Sequence, residues 1–419
     1  MPTAFLVVAI IGALLTINAY RPLVRWGPLS IFVFFAGWLV SELPFHRIVW
    51  QLVLAGFFVW QGALDGWQGW AALAIIVASW FGHWYLVVEA NKAREITEDA
   101  LREALGEDYR DRIDPTLADR LDTPMPRRRL VLPFSHKHDD VAVTRNLSYG
   151  RYGRRNRLDV YRRVDEPTGC PVLLQVHGGA WVIGSKEQQG WPLMSHLAAS
   201  GWVCVAINYR LGPRSSWPDM IVDVKQAITW VKDHVAEYGG NPDFIVITGG
   251  SAGGHLCSLA ALTPNAPEFQ PGFEDRDTTV QACVPFYGVY DFTNRDGVGR
   301  GDMRGFLERM VMKSKLTQAE DVWDAASPMS RVSADAPPMF VIHGKNDTLV
   351  PVAEARLFVR LLREVANDPV AYAELPGAQH AFEVFASIRT AHVVNAVERF
   401  VAYVYSDFLR TQRLTSSDR

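Results

Sequence analysis

Apolar positions follow two different patterns along this chain. Over residues 1–90 they run together almost without interruption; beyond, they come in short blocks separated by polar and charged stretches. Ala4 to Tyr20 is 17 residues without a charge. Leu29 to Phe45 is apolar except for Glu42, and Ile48 to Leu64 and Trp70 to Val88 follow. A bilayer span takes about 20 apolar residues, with a range of about 17–25. The runs therefore predict four spans, or three if the closely spaced middle two form a re-entrant hairpin. Trp26, Trp50, Trp60, Trp67 and Trp70 lie near run ends, where an aromatic belt belongs. No basic segment precedes the first run and no A-x-A site follows it, so a cleaved signal peptide fits poorly.

Asn91 to Leu121 changes character: Glu, Asp and Arg dominate, with Ile96, Leu101 and Leu105 at helical spacing. This predicts a solvated helix outside the membrane. Thr123-Pro124-Met125-Pro126 breaks it, and Arg127-Arg128-Arg129 follows as a plain linker or a contact with anionic headgroups. Arg21 and Arg25 flank the first apolar run, while Lys92, Arg94 and Arg102 follow the last. Four spans place these clusters on opposite sides, so the positive-inside rule is divided. The larger cluster places the following domain in the cytoplasm; the first span argues the reverse, and the side stays open.

From residue 141 apolar blocks of strand length alternate with helical patterns. Val141 to Tyr149 and Arg157 to Tyr161 predict two strands; Pro171 to Val176, Trp202 to Asn208, Phe244 to Ile247, Val280 to Phe286, Pro338 to Ile342 and Ala371 to Leu375 predict six more. A helix from Thr390 to Leu409 closes the chain. Such alternation predicts an α/β fold, a mostly parallel sheet with helices on both faces, after an N-terminal transmembrane helical region. The expected division is 1–90 (apolar helices), 91–140 (charged linker), 141–410 (α/β domain) and 411–419 (disordered tail). Residues 288–326 form a long irregular insertion suited to a pocket wall or to a solvated excursion.

Chemistry gathers at the carboxyl ends of the predicted strands, where open α/β sheets place their ligands. Thr248-Gly249-Gly250-Ser251-Ala252-Gly253-Gly254 reads G-x-S-x-G between a strand and a helix, the context of a nucleophile elbow. Another strand ends in His177-Gly178-Gly179-Ala180-Trp181, whose small residues let a carbonyl approach backbone N–H groups. Asp347 lies in a turn after a late strand and is preferred over Glu354, which falls in the next helical pattern. His380 follows the last strand. The order Ser251, Asp347, His380 is that of a hydrolase triad. Gly179, Ala180 and Ala252 are the expected oxyanion donors.

Two remaining features narrow the picture. Net charge is −3, with no basic surface for nucleic acid. Cys170, Cys204, Cys257 and Cys283 form no C-x-x-C pair and sit in or beside apolar runs, which predicts buried free thiols.

With these motifs, together with Asn208-Tyr209-Arg210-Leu211 and Pro218, residues 141–409 resemble the α/β-hydrolase superfamily, and within it the hormone-sensitive-lipase-like and BD-FAE-like carboxylesterases. Ala180 stands where the lipase-like form has a third glycine, and Gly250 where it often has Asp; both fit the BD-FAE-like branch better. The apolar front end is similar to that of actinobacterial membrane-anchored Lip-type esterases. The resemblance implies a membrane-anchored serine esterase acting on small-molecule or lipid esters, in contact with a lipid bilayer, with no metal or organic cofactor. An arylformamidase-like amide hydrolase, a peptidase and a non-catalytic membrane scaffold are the alternatives. The sequence leaves oligomeric state open.

Overall fold

The structure is a computed structural model that describes the chain apart from residues 24–26, 28, 136–138, 166, 418 and 419. Arg25 and Trp26 lie outside the described residues.

One sheet organises residues 141–417. Its strands are β1 (Val141–Ser148), β2 (Arg157–Arg163), β3 (Cys170–Val176), β4 (Val203–Ile207), β5 (Gly240–Gly250), β6 (Ala282–Phe286), β7 (Met339–Gly344) and β8 (Val370–Leu375). Their order is β1-β2-β4-β3-β5-β6-β7-β8. The pairs β1/β2 and β2/β4 are antiparallel, and every later pair is parallel. β3, β4, β6 and β7 are buried at every position, which is why their sequences are near-continuous apolar runs. The four cysteines are buried free thiols.

The helices are α1 (Pro2–Tyr20), α2 (Leu29–Glu42), α3 (Pro44–Trp60), α4 (Trp67–Asn91), α5 (Ala93–Leu105), α6 (Pro115–Ala118), α7 (Arg127–Val131), α8 (Trp191–Ala199), α9 (Asp219–His234), α10 (Ala252–Leu262), α11 (Met303–Leu307), α12 (Glu320–Ala325), α13 (Val352–Val365) and α14 (Ile388–Ser417). α9, α10 and α13 cover one face of the sheet. α8, α14 and α5 cover the other.

The place of α5 corrects the expectation of a solvated helix. Ala93, Ala100, Leu101 and Leu105 are buried against the second face, while Arg94, Glu95, Arg102 and Glu103 are exposed and Glu98 pairs with Arg399 of α14. The helix is amphipathic, and its apolar stripe completes the core. The basic run is likewise more than a linker: it forms α7, in which Arg129 is buried and its Nη1 donates to Ser195 Oγ at 2.9 Å. α14 continues to Ser417, through most of the expected tail.

The apolar helices have a definite arrangement. α1 and α4 run parallel, since Pro2 lies against Gly66 and Thr16 against Gly82 and His83. α3 packs with them through Ala55 and through Phe58, stacked on Phe5 at 5.1 Å. Pro44 starts α3 and stops α2, because a residue preceding proline is pushed out of helical geometry. The two helices meet at a bend of 94°. Among the described residues α1 and α4 are individually long and apolar enough to cross a membrane, and α2 and α3 pass only as a bent pair.

Candidate active site

Ser251 occupies the turn between β5 and α10 with φ 58° and ψ −120°. A serine held there is strained, so the surroundings must enforce the conformation. Its N–H donates to the Phe286 carbonyl of β6 at 3.0 Å, and its own carbonyl accepts from His255 N at 2.9 Å to start α10. Gly253 explains the spacing of the motif: a Cβ there would overlap the Val176 carbonyl oxygen and lie 2.9 Å from the His177 carbonyl carbon. The helix must pass this close to the end of β3 for the turn to close.

The loop after β3 lies against that elbow. A Cβ on Gly178 would sit 2.6 Å from the Gly250 carbonyl oxygen. Gly179, Ala180 and Trp181 all have positive φ, at 114°, 51° and 60°. Among the described residues the N–H groups of Gly179 and Ala180 donate no hydrogen bond. The N–H of Ala252 opens α10 and is one of those a helix start leaves unpartnered.

A second set of contacts braces this loop, and it accounts for the Asn208-Tyr209-Arg210-Leu211 motif. Tyr209 Oη donates to the His177 carbonyl at 2.9 Å, and its ring stacks on the His177 imidazole at 4.4 Å. Burial pulls the His177 pKa down to about 4, so the ring is neutral. Arg210 clamps the buried Asp223 of α9 and also bonds Asp219. Gln189 Oε1 accepts the Gly178 N–H at 2.5 Å. Trp181 Nε1 donates to His255 Nδ1 at 3.1 Å, and His255 Nε2 pairs with the Ala326 carbonyl at 2.8 Å. His255 also stacks on Phe292 at 4.3 Å. The 288–326 insertion therefore braces α10 from outside.

Asp347 and His380 meet directly. Asp347 Oδ2 lies 2.7 Å from His380 Nδ1 and 3.3 Å from His343 Nε2. Its Oδ1 accepts the N–H groups of Leu349 and Val350 at 2.7 and 2.8 Å. Burial raises the Asp347 pKa, but His380 and His343 outweigh it, and the net shift is well below the ordinary carboxylate range. Gln379 Oε1 accepts both Thr348 N and His380 N, locking the two loops together. Glu354 lies elsewhere: it is buried, accepts from Tyr290 N at 3.0 Å, and burial raises its carboxyl to about 8. It lines a cavity of about 40 Å³ with Asp291, Phe292, Arg300, Leu307 and Val350, apart from Ser251 and His380.

Ser251 Oγ makes no hydrogen bond to His380 in this structure. Tyr287 links the two. Its ring centroid is 4.5 Å from that of His380, and a Cβ on Gly250, the residue before Ser251, would lie 2.6 Å from its hydroxyl oxygen. Tyr287 Oη in turn donates to the buried Glu383 carboxyl, which burial raises to about 7. Sequence reasoning assigned no role to Tyr287, Gln379, Gln189 or His343; Tyr287 acts on partners distant in sequence, whereas His343 lies four residues before Asp347 and Gln379 directly before His380. The His-Gly-x-x-Asp spacing is the local signal for His343, and a Tyr directly after a strand that pairs with the serine strand is the one for Tyr287.

Residues 158–362 match the BD-FAE family model. The probable carboxylic ester hydrolase LipM of Mycobacterium tuberculosis is 50% identical over 410 residues, covering 96% of this chain and 93% of that protein. Esterase LipQ of the same organism is 42% identical over 395 residues, covering 93% of this chain and 88% of its own. Among solved structures, a truncated carbohydrate esterase from gut microbiota aligns with a TM-score of 0.55 at 23% identity, over 63% of this chain and 98% of that one, a likeness of fold.

Proposed function

Because the chain belongs to the BD-FAE family of α/β-hydrolase carboxylesterases, together with the Lip-type esterases, we propose that it is a membrane-anchored serine carboxylesterase that works through an acyl-enzyme on Ser251. The observation that carries this reading is the strained Ser251 turn, connected through Tyr287 to an Asp347–His380 pair and accompanied by a set of uncommitted backbone N–H groups. In the proposed cycle His380 Nε2 takes the Ser251 proton as Oγ attacks the ester carbonyl. Asp347 fixes the proton on Nδ1 and stabilises the imidazolium that forms. The N–H groups of Gly179, Ala180 and Ala252 receive the oxyanion, each such donor being worth about 3–4 kcal/mol. His380 then gives its proton to the departing alcohol. Water, activated by the same imidazole, cleaves the acyl-enzyme. Ser251→Ala is expected to keep the thermal stability of the wild type while losing turnover of p-nitrophenyl butyrate and labelling by a fluorophosphonate. Unchanged turnover by that variant refutes the assignment.

The anchor reading rests on exposure. Phe32, Phe35, Trp50, Trp60, Trp67, Trp70, Phe81 and Trp84 are all exposed on the apolar helices, far more apolar surface than water tolerates on a monomer. The parallel course of α1 and α4 and the right-angle turn into α3 support three crossings by α1, α3 and α4, with α2 lying across their end. In that arrangement Arg21 and the Lys92, Arg94 and Arg102 cluster fall at the same end, the end that carries the catalytic domain. The division seen with four spans disappears in that arrangement, and the positive-inside rule then supports a cytoplasmic catalytic domain.

A further inference from the structure

α2 lies along the catalytic rim from end to end. At its start Arg300 Nη1 of the insertion donates to Ser30 Oγ at 3.1 Å and to the Thr348 carbonyl, one residue past Asp347, at 3.2 Å. One turn on, Phe34 meets the His380 imidazole edge to face, centroids 6.1 Å apart. Trp38 Nε1 donates to the carbonyl of Ala381 at 2.8 Å, and its ring packs on Phe385 at 4.4 Å. At its end Glu42 forms a buried ion pair with Arg389 and accepts from Ser387 Oγ at 2.9 Å. The same helix shows the opposite character on its other face, where Leu29, Ile31, Phe32, Phe35 and Leu39 are exposed.

The apolar surface does not stop at α2. Val131 ends α7 and Leu132 and Phe134 follow it; all three are exposed, and Phe134 packs edge to face on Phe385 at 5.0 Å. His46 at the start of α3 bonds the Val131 carbonyl at 3.0 Å. Ile183, in the oxyanion loop, is 68% exposed. A soluble esterase would have water at this rim. Here an apolar collar surrounds the histidine loop and continues into the outer face of a helix that lies across the ends of the spans.

Resting on the serine-esterase reading above, we infer that α2 is a wall of the substrate site and that the enzyme takes its ester from the bilayer. The substrate is an amphiphile with a long hydrocarbon chain that passes Phe34 on its way to Ser251, leaving the rest of the chain in lipid. Phe34 is then a specificity-determining residue: it borders the reacting imidazole, with Trp38 stacked behind it, and selects for the chain.

The test uses the full chain reconstituted in phosphatidylcholine vesicles containing phosphatidylglycerol. Two substrates are compared, p-nitrophenyl palmitate incorporated in the vesicles and p-nitrophenyl butyrate in solution. Phe34→Ala is expected to lower kcat/KM for palmitate by at least about tenfold more than it lowers kcat/KM for butyrate, the usual worth of a lost apolar pocket contact. Phe34→Leu, which keeps most of the packing, should fall between Phe34→Ala and wild type. Phe32→Ala on the lipid-facing side should match wild type on both substrates. An equal loss on both substrates, no loss on palmitate, or a wild type that prefers butyrate overturns the inference while leaving the esterase intact. Absence of butyrate turnover by the wild type overturns the esterase reading and this inference with it.

Discussion

Asp347→Asn tests the reaction scheme most sharply, because the structure dictates which way the new amide must face. In the native turn Oδ1 accepts two backbone N–H groups, from Leu349 and Val350, while Oδ2 faces His380 Nδ1 at 2.7 Å. An asparagine that kept its oxygen at the Oδ1 position would preserve both turn bonds and point its NH₂ at Nδ1. Flipping the amide would instead set the NH₂ against two N–H donors, leaving buried groups unpaired at about 1–3 kcal/mol each. The turn therefore selects the orientation that forces Nδ1 to accept. The imidazole proton then sits on Nε2, where it blocks removal of the Ser251 proton. A wrong tautomer in a triad of this kind costs about 10⁴ in kcat, or about 5.4 kcal/mol of barrier at 1.36 kcal/mol per factor of ten. Initial rates on p-nitrophenyl butyrate and a thermal melt of the same preparation provide the measurement. A loss of about four orders of magnitude is expected, with a lowered Tm that still leaves the variant folded at the assay temperature. Activity within tenfold of wild type refutes the role of Asp347. The pH dependence is also determined. The folded Asp347 pKa lies below its ordinary value of 3.8, so the stability this carboxylate contributes is fully present above about pH 4 and is lost as pH falls through the lower folded value. Any acid limb of activity found between pH 5 and 8 is therefore not a titration of Asp347.

Two further outcomes follow from groups around the site. Gly253→Ala places a methyl onto the Val176 carbonyl oxygen with backbone on both sides, so it should cost about 3 kcal/mol or more and lower Tm by several degrees; a melt that matches wild type refutes the close approach of α10 to β3. Glu354 has a folded pKa raised from 4.5 to about 8 by burial, so it holds a proton that the unfolded chain has released, and its contribution to stability falls as pH rises from about 4.5 to 8. Glu354→Gln keeps an acceptor for the Tyr290 N–H, and it should remove up to about 1.4 kcal/mol per pH unit of that slope in denaturant unfolding; an unchanged slope refutes the neutral buried carboxyl.

The eight strands were legible because each is a local pattern. Pro171–Val176 and Pro338–Ile342 are apolar throughout, and a strand buried on both faces permits nothing else. The residues proposed for chemistry were legible for a related reason: Ser251, Gly179, Asp347 and His380 sit at strand ends, in turns whose glycines and polar residues interrupt the apolar runs. What stayed hidden depends on partners distant in sequence. The charge of α5 suggested solvent, yet its narrow stripe at Ala93, Leu101 and Leu105 finds β8 and α14. Tyr287 looks like any residue after a strand until His380 and Glu383 close around it. Glu42 was visible as an isolated acid in an apolar run, but its meaning required Arg389, which lies in the last helix. A lone carboxylate that survives in such a run is a signal of a fixed cationic partner, since an unpaired charge there is too costly to keep.

The apolar helices and the catalytic domain are joined at the loops that carry the acid and the base. Asn346, the neighbour of Asp347, donates through Nδ2 to the carbonyls of Ala19 and Tyr20 at 3.2 and 3.0 Å. Ala381, the neighbour of His380, takes the Trp38 indole N–H. Arg300 ties Ser30 to the carbonyls of Thr348 and Leu349, and Glu42 holds Arg389 at the head of the helix that follows the histidine loop. Loops at the rim of an α/β sheet are ordinarily its most mobile parts, and a triad works only when its acid and base are held to within a fraction of an ångström. In this chain the N-terminal helices add to the bracing that Gln379 and the Asp347 turn already supply. The elements proposed to tether the enzyme to lipid thus pack on the loops proposed to carry acid and base, so the proposal makes anchoring and catalysis depend on one packed unit.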